Sequence, residues 1–162
     1  MIYILTTGGT IEKQYDPLTG LMDFNGEHIA TLIIKARIGV DYIVKPILMK
    51  DSLELSDSDR NFIVGHCNSS GERVVITHGT DTIVETANAI ALKQENKQQV
   101  VVLTGAMVPA SMKGSDAFFN LGCALASVQV LPPGIYIAMS GQIFPWDNVR
   151  KDVVKGCFYK CC

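Results

Sequence analysis

The sequence predicts an α/β protein in three layers, with helices on both faces of a mainly parallel sheet. Three observations carry that reading. Apolar runs of about four to eight residues alternate with longer segments of helical period, which is the sequence form of repeated βα units. Apolar residues make up 48% of the chain and charged residues 19%, richer in core material than a typical soluble protein and suited to a sheet covered on both sides. At 162 residues the chain has room for one sizeable core and not for two ordinary domains.

The elements follow in order. A first strand is predicted over Ile2 to Thr6. Ile11 to Phe24 then interrupts the rhythm, because Asp16-Pro17 and Thr19-Gly20 are turn pairs; the segment reads as a hairpin or loop, a mobile flap standing where a helix would otherwise begin. A helix over Gly26 to Ile38 leads to a strand over Tyr42 to Met49. Ser56-Asp57-Ser58-Asp59 offers capping hydroxyls and carboxylates to a helix over Asp57 to Asn68. The strand Arg73 to Thr77 precedes a helix over Thr82 to Glu95, and Thr82 with Glu85 has the form of a capping box. Val100 to Thr104 is the next strand and Ser115 to Val128 the next helix. Pro132-Pro133 ends that helix, since neither proline can donate to its ladder, and Gly134 to Met139 is the last strand. No repeat, low-complexity segment or linker divides the chain, so residues 1–162 are read as a single flavodoxin-like or Rossmann-like domain.

Charge excludes some partners. The formal net charge is −2 and the lysines and arginines are scattered, so nucleic acid and anionic membranes find no electrostatic footprint and a small molecule is the expected partner. No run approaches the roughly 18 consecutive apolar residues of a membrane span, and Met1 to Leu5 lacks the pattern of a secretory leader, which makes the expected location cytoplasmic. The five cysteines are odd in number, and Cys157, Cys161 and Cys162 show no C-x-x-C spacing and no histidine nearby; they are expected to be reduced, with no metal bound.

Two segments set small and hydroxyl residues at the C-terminal ends of predicted strands: Thr6-Thr7-Gly8-Gly9-Thr10 and Thr77-His78-Gly79-Thr80-Asp81. In open α/β sheets ligands bind outside those ends, where strand order reverses. With strand order 2-1-3-4-5 the first and third strands are neighbours, and Thr10 and Thr80 face one crevice despite their separation in sequence. Each residue also has an ordinary structural role open to it. Gly8 and Gly9 permit a tight turn and match neither G-x-G-x-x-G nor a P-loop, which leaves a nucleotide-binding domain as the weakest reading. Thr80, Asp81 and Thr82 suit a helix cap. His78, with no second histidine at the metal-binding spacing, suits a structural hydrogen bonder, and His28 and His66 fall within predicted helices.

The blocks Thr7-Gly8-Gly9-Thr10-Ile11, His78-Gly79-Thr80-Asp81-Thr82, Thr104-Gly105-Ala106-Met107 and Asp116-Ala117-Phe118-Phe119-Asn120-Leu121 stand in the order and spacing of the bacterial-type L-asparaginases. From Ile2 to about Gly156 the chain resembles the N-terminal domain of that family, and in its length it resembles the short-chain, single-domain members. The resemblance implies an amidohydrolase that converts L-asparagine, with L-glutamine as the second candidate substrate, into the acid and ammonia through a threonine acyl-enzyme, with no cofactor. Thr10 would be the nucleophile and Tyr15 on the flap its activator. Thr80 and Lys151 would form a second hydroxyl and base pair. Asp81 would bind the substrate α-ammonium and Ser52 its α-carboxylate, with Gly9, Gly79 and Ala106 lining the pocket.

The implied chemistry is physically coherent. A threonine hydroxyl is a weak nucleophile at neutral pH and needs a neighbouring base or polarising partner. A lysine serves as base only where burial and a nearby cation favour its neutral form. Backbone N–H groups at the start of the helix after Thr80 would stabilise the oxyanion, a donor of this kind being worth on the order of 3 kcal/mol. Flap closure would exclude water.

The sequence also departs from the family pattern. The usual C-terminal domain is expected to be absent, together with the acidic and amide residues by which a neighbouring protomer helps bind the substrate amine, and Leu53 stands where a polar residue often follows Ser52. Apolar surface left uncovered would favour a homodimer or a dimer of dimers. The alternative to an enzyme is a non-catalytic asparagine or aspartate sensor that keeps the pocket without turnover.

Overall fold

The computed structural model describes residues 1–24 and 28–161. A six-stranded sheet is built from β1 (Ile2–Gly8), β4 (Tyr42–Lys50), β5 (Arg73–Thr77), β6 (Val100–Thr104), β7 (Gly134–Met139) and β8 (Gln142–Pro145), in the order β4-β1-β5-β6-β7-β8. The first five are parallel and reproduce the expected 2-1-3-4-5 order; β8 folds back antiparallel on β7 through the Ser140-Gly141 turn. Both outer strands contain a proline, Pro46 within β4 and Pro145 at the end of β8.

Side chains alternate across a strand, so the sequence sorts itself between two cores. On one face Leu5, Val74, Ile76, Val101, Leu103, Ile135 and Ile137 meet α2 (Asp57–Asn68) and α3 (Ile83–Lys93). On the other, Ile2, Ile4, Val75, Val100 and Val102 meet α1 (His28–Ala36) and α4 (Ala117–Val130). Burying each such side chain contributes about 1.5–3 kcal/mol. The near-continuous apolar runs of β1, β5 and β6 thus have their explanation: these central strands are covered on both faces.

The start of α2 follows local chemistry. Ser56 and Asp59 form a true capping box on α2. The capping box expected from Thr82 and Glu85 does not form. Thr82 turns its hydroxyl away from α3 and donates to the carbonyl of Ser52 at 2.7 Å, joining two strand-end loops instead of closing a helix end. The helix expected from Gly26 begins, within the described residues, at His28. Sequence periodicity misses β8 and the hairpin of β9 (Arg150–Asp152) and β10 (Cys157–Tyr159), because strands of three or four residues are too short to show alternation.

The expected flap is a small hairpin, β2 (Gln14–Tyr15) and β3 (Met22–Asp23). Its turn is built by Asp16, whose carboxylate accepts from the Leu18 amide at 2.9 Å and the Thr19 hydroxyl at 3.0 Å. Among the described residues no helix is long and apolar enough to cross a membrane. Cys67, Cys123, Cys157 and Cys161 are free thiols; Cys162 lies outside the described residues.

Candidate active site

Four loops at the C-terminal ends of β1, β4, β5 and β6 meet in backbone contact, and glycines make that approach possible. A Cβ on Gly9 would lie 2.3 Å from the backbone nitrogen of Gly79, and Gly9 also has φ of 76°, which disfavours any other residue. A Cβ on Gly79 would lie 2.5 Å from the side chain of Ser52, and one on Gly105 2.4 Å from the carbonyl of His78. Hydrogen bonds complete the join: the Gly9 amide donates to the Lys50 carbonyl at 2.9 Å, the Thr7 hydroxyl to the Thr77 carbonyl at 2.9 Å and the His78 amide to the Thr104 carbonyl at 2.8 Å. The segments holding Thr10 and Thr80 are therefore brought together.

Thr10 opens a 3-10 turn over Thr10–Glu12 and is half-buried. Thr80 is buried, and Lys151 reaches it from β9: its ammonium donates to Thr80 Oγ1 at 2.7 Å and to Asp81 Oδ1 at 2.6 Å. β9 is fixed by pairing with β10, where buried Phe158 lies opposite Lys151. The side chain of Lys151 is 11% exposed, so it is not the solvated surface charge that most lysines are. The carboxylate of Asp81 is more open, at 40%.

Ser52 begins a second 3-10 turn, Ser52–Glu54, capped by Asp51, whose side chain accepts from the Leu53 amide. Asp51 also receives Lys13 from the turn after β1 at 2.5 Å, and this hydrogen bond holds its carboxyl below the ordinary carboxylate range. Ser52 Oγ is buried without a hydrogen-bond partner among the described residues and borders Gly79. An unpartnered hydroxyl of this kind is costly unless something binds to it.

Ala106 is fully buried on the loop after β6. That loop hangs on Asp116, which accepts from the amides of Met107 and Val108 at 3.0 and 2.9 Å and from Asn120 Nδ2 at 2.8 Å. Asn120 also donates to the Gly105 carbonyl at 3.0 Å and accepts from the Ser140 amide at 3.0 Å, tying the β6 loop to the β7–β8 turn. Sequence reasoning gave neither residue a role; an amide residue four positions after an aspartate at a helix start is the available signal.

Tyr15 stands apart from this cluster. It lies on the hairpin, 57% exposed, and lines a cleft with Lys35, Ser111 and Met112. The hairpin is fastened at its base, where the Ser111 hydroxyl donates to the Lys13 carbonyl at 3.0 Å. Among the described residues no group of histidine, cysteine, aspartate and glutamate side chains has the arrangement of a metal site.

Beneath the Gly79–Asp81 loop, His78 is fully buried. Nδ1 lies 2.8 Å from the Gly79 carbonyl and Nε2 2.8 Å from the Thr86 hydroxyl of α3. Burial, aided by the positive charge of Arg60, pushes its pKa down to about 4, the hydrogen bond to Gly79 opposing the shift. Cys67 is pushed up to about 12 by burial alone, which makes it an inert core thiol.

The chain matches the family model described as "Asparaginase, N-terminal" over residues 1–155. It is 32% identical over 154 residues to the L-asparaginase of Thermococcus kodakarensis, covering 93% of this chain and 47% of that protein. It is 31% identical over 151 residues to a glutamyl-tRNA(Gln) amidotransferase subunit from Pyrococcus furiosus, covering 87% of this chain and 34% of that one. The solved structure of the thermostable L-asparaginase from T. kodakarensis superimposes with a TM-score of 0.86 at 32% identity, over 98% of this chain and 50% of the other. The chain thus spans about half the length of that asparaginase and about a third of the amidotransferase protein.

Proposed function

The chain belongs to the asparaginase family, and from that premise we propose that it is an amidohydrolase that converts L-asparagine to L-aspartate and ammonia through an acyl-enzyme on Thr10. One observation carries the reading: Lys151, nearly buried, joins Thr80 and Asp81 in a single hydrogen-bonded set, on a loop whose backbone touches the one holding Thr10.

The geometry supports a two-step route. Thr10 Oγ attacks the side-chain amide carbon, its proton passes to the leaving nitrogen, and ammonia departs to leave an ester on Thr10. Water then attacks that ester, releasing aspartate and restoring the hydroxyl. Lys151 touches a carboxylate and a hydroxyl at once, so it is placed to relay a proton through Thr80. A substrate α-ammonium arriving at Asp81 competes with Lys151 for the carboxylate, which frees Lys151 Nζ to turn toward Thr80. Ser52 Oγ, short of a partner, suits the substrate α-carboxylate. Tyr15 takes part only if the hairpin closes from its open position, a gating role that loops commonly fill.

Purified protein should release ammonia from asparagine, and Thr10→Ala should abolish this with the fold intact. Full activity in Thr10→Ala would remove Thr10 from the mechanism. The resemblance to an amidotransferase component favours testing glutamine alongside asparagine, since one methylene of pocket depth decides between them at about 1–3 kcal/mol. The sensor alternative predicts thermal stabilisation by aspartate with no ammonia from either amide. Self-association is part of the same proposal. Phe118 and Phe119 on α4 are both about half exposed and border an apolar groove with Leu32 of α1; sedimentation as a monomer at micromolar concentration would remove it.

A further inference from the structure

His78 is a buried titratable group that the proposed reaction leaves unused, and it sits directly before Gly79, Thr80 and Asp81. Its hydrogen bonds define its state. A carbonyl oxygen only accepts, so Nδ1, facing the Gly79 carbonyl, carries the proton; Nε2 of the neutral ring then accepts from the Thr86 hydroxyl. The low pKa keeps that neutral form through the physiological range.

The partner of Nδ1 belongs to a peptide that a glycine leaves free to turn. The unit between Gly79 and Thr80 rotates through ψ of a glycine, which lacks the Cβ that would restrict it. A larger residue there would collide with Ser52, whose side chain lies 2.5 Å from where a Cβ would stand. The site therefore requires a glycine where it also requires a fixed peptide. In a trans peptide C=O and N–H point in opposite directions, so a carbonyl held on the imidazole aims the Thr80 N–H away from it.

We propose that His78 is a positioning residue: by donating from Nδ1 to the Gly79 carbonyl it locks the Gly79–Thr80 peptide, and so sets the direction of the Thr80 N–H and of the hydroxyl that meets Lys151. The proposal deepens the amide-hydrolysis reading of this site and rests on it for its kinetic consequence. The lock itself is a structural claim with its own readout.

Two variants separate the ring's two bonds. An asparagine amide nitrogen mimics Nδ1 and a glutamine amide nitrogen mimics Nε2, so His78→Asn keeps the donor to Gly79 and His78→Gln does not. His78→Gln should lose about a hundredfold in kcat with KM little changed, the scale of a small misplacement of reacting groups, whereas His78→Asn should stay within about tenfold of the parent. Equal losses in both variants, or a fully active His78→Gln, would overturn the proposal. On the unmodified chain, nitrogen NMR of labelled histidine should find the His78 ring protonated at Nδ1, and the Thr80 amide resonance should move further in His78→Gln than in His78→Asn. A ring protonated at Nε2 refutes the lock whether or not the variants fold. An absence of ammonia from the parent protein would instead refute the hydrolase reading, with the ring tautomer and the Thr80 amide still deciding the lock.

Discussion

Lowering the pH from about 7 to about 4.5 should destabilise this domain through His78 before most carboxylates titrate. The folded pKa, about 4, lies below the ordinary 6.5, so between those values the unfolded chain binds a proton that the folded one refuses. Stability therefore rises with pH across this window: the contribution is complete above about 6.5 and lost as pH falls to about 4. The gap between the two values corresponds to about 3 kcal/mol, of which about 2 should be gone at pH 4.5. Asp51 works in the same direction but lower, since its stabilisation is lost only below its ordinary 3.8. Urea unfolding at the two pH values, on the parent and on His78→Asn, isolates the effect: the variant lacks the titrating ring, so its pH-dependent loss should be smaller by about 2 kcal/mol. Identical pH dependence in the two proteins would refute the assignment of a buried neutral ring. Proton NMR titration of the parent's His78 ring gives the same answer without a variant.

Other outcomes follow from the described contacts. Lys151→Met should lower kcat by about two orders of magnitude or more, and Lys151→Arg should not restore it, because a guanidinium does not give up its proton; steady-state ammonia release checks both. Gly79→Ala should cost about 1–3 kcal/mol through collision with Ser52, and adding Ser52→Gly should recover part of the lost melting temperature without recovering substrate affinity. Ser56→Ala should cost about 1 kcal/mol in urea unfolding by removing the cap of α2, while Glu85→Ala, on a capping box that does not form, should cost much less. Cys67 should resist alkylation in the folded protein and react only on unfolding, as mass spectrometry of labelled peptides would show.

The parallel sheet was visible in the sequence because two-sided burial writes itself as runs such as Val74-Val75-Ile76 and Val100-Val101-Val102-Leu103. The strand ends whose loops meet in backbone contact were visible because glycines and hydroxyls cluster there. What stayed hidden depends on contacts between segments remote in sequence. Thr82 and Glu85 satisfy the local rule for a capping box, yet the carbonyl of Ser52, brought close only by the fold, claims the Thr82 hydroxyl. Lys151 looks by composition like one charge among Arg150 and Lys155; its burial comes from a hairpin whose strands, three residues each, carry no periodic signal. The resemblance to a family, and not the physics of the local sequence, singled it out. Asp116 and Asn120 stand in a motif that shows no task in the sequence, because apart from each other their partners are backbone groups that no side-chain pattern reveals.

The prolines in the two outermost strands bear on how copies of this chain can meet. A strand joining from outside needs an unbroken row of donors to zip against, and Pro46 and Pro145 each remove one. Lys45 and Lys50, on the same strand as Pro46, add the penalty of desolvating charge to any such intruder. Fibril-like stacking through the sheet margins is thereby disfavoured, and association of two protomers is steered toward their helical flanks.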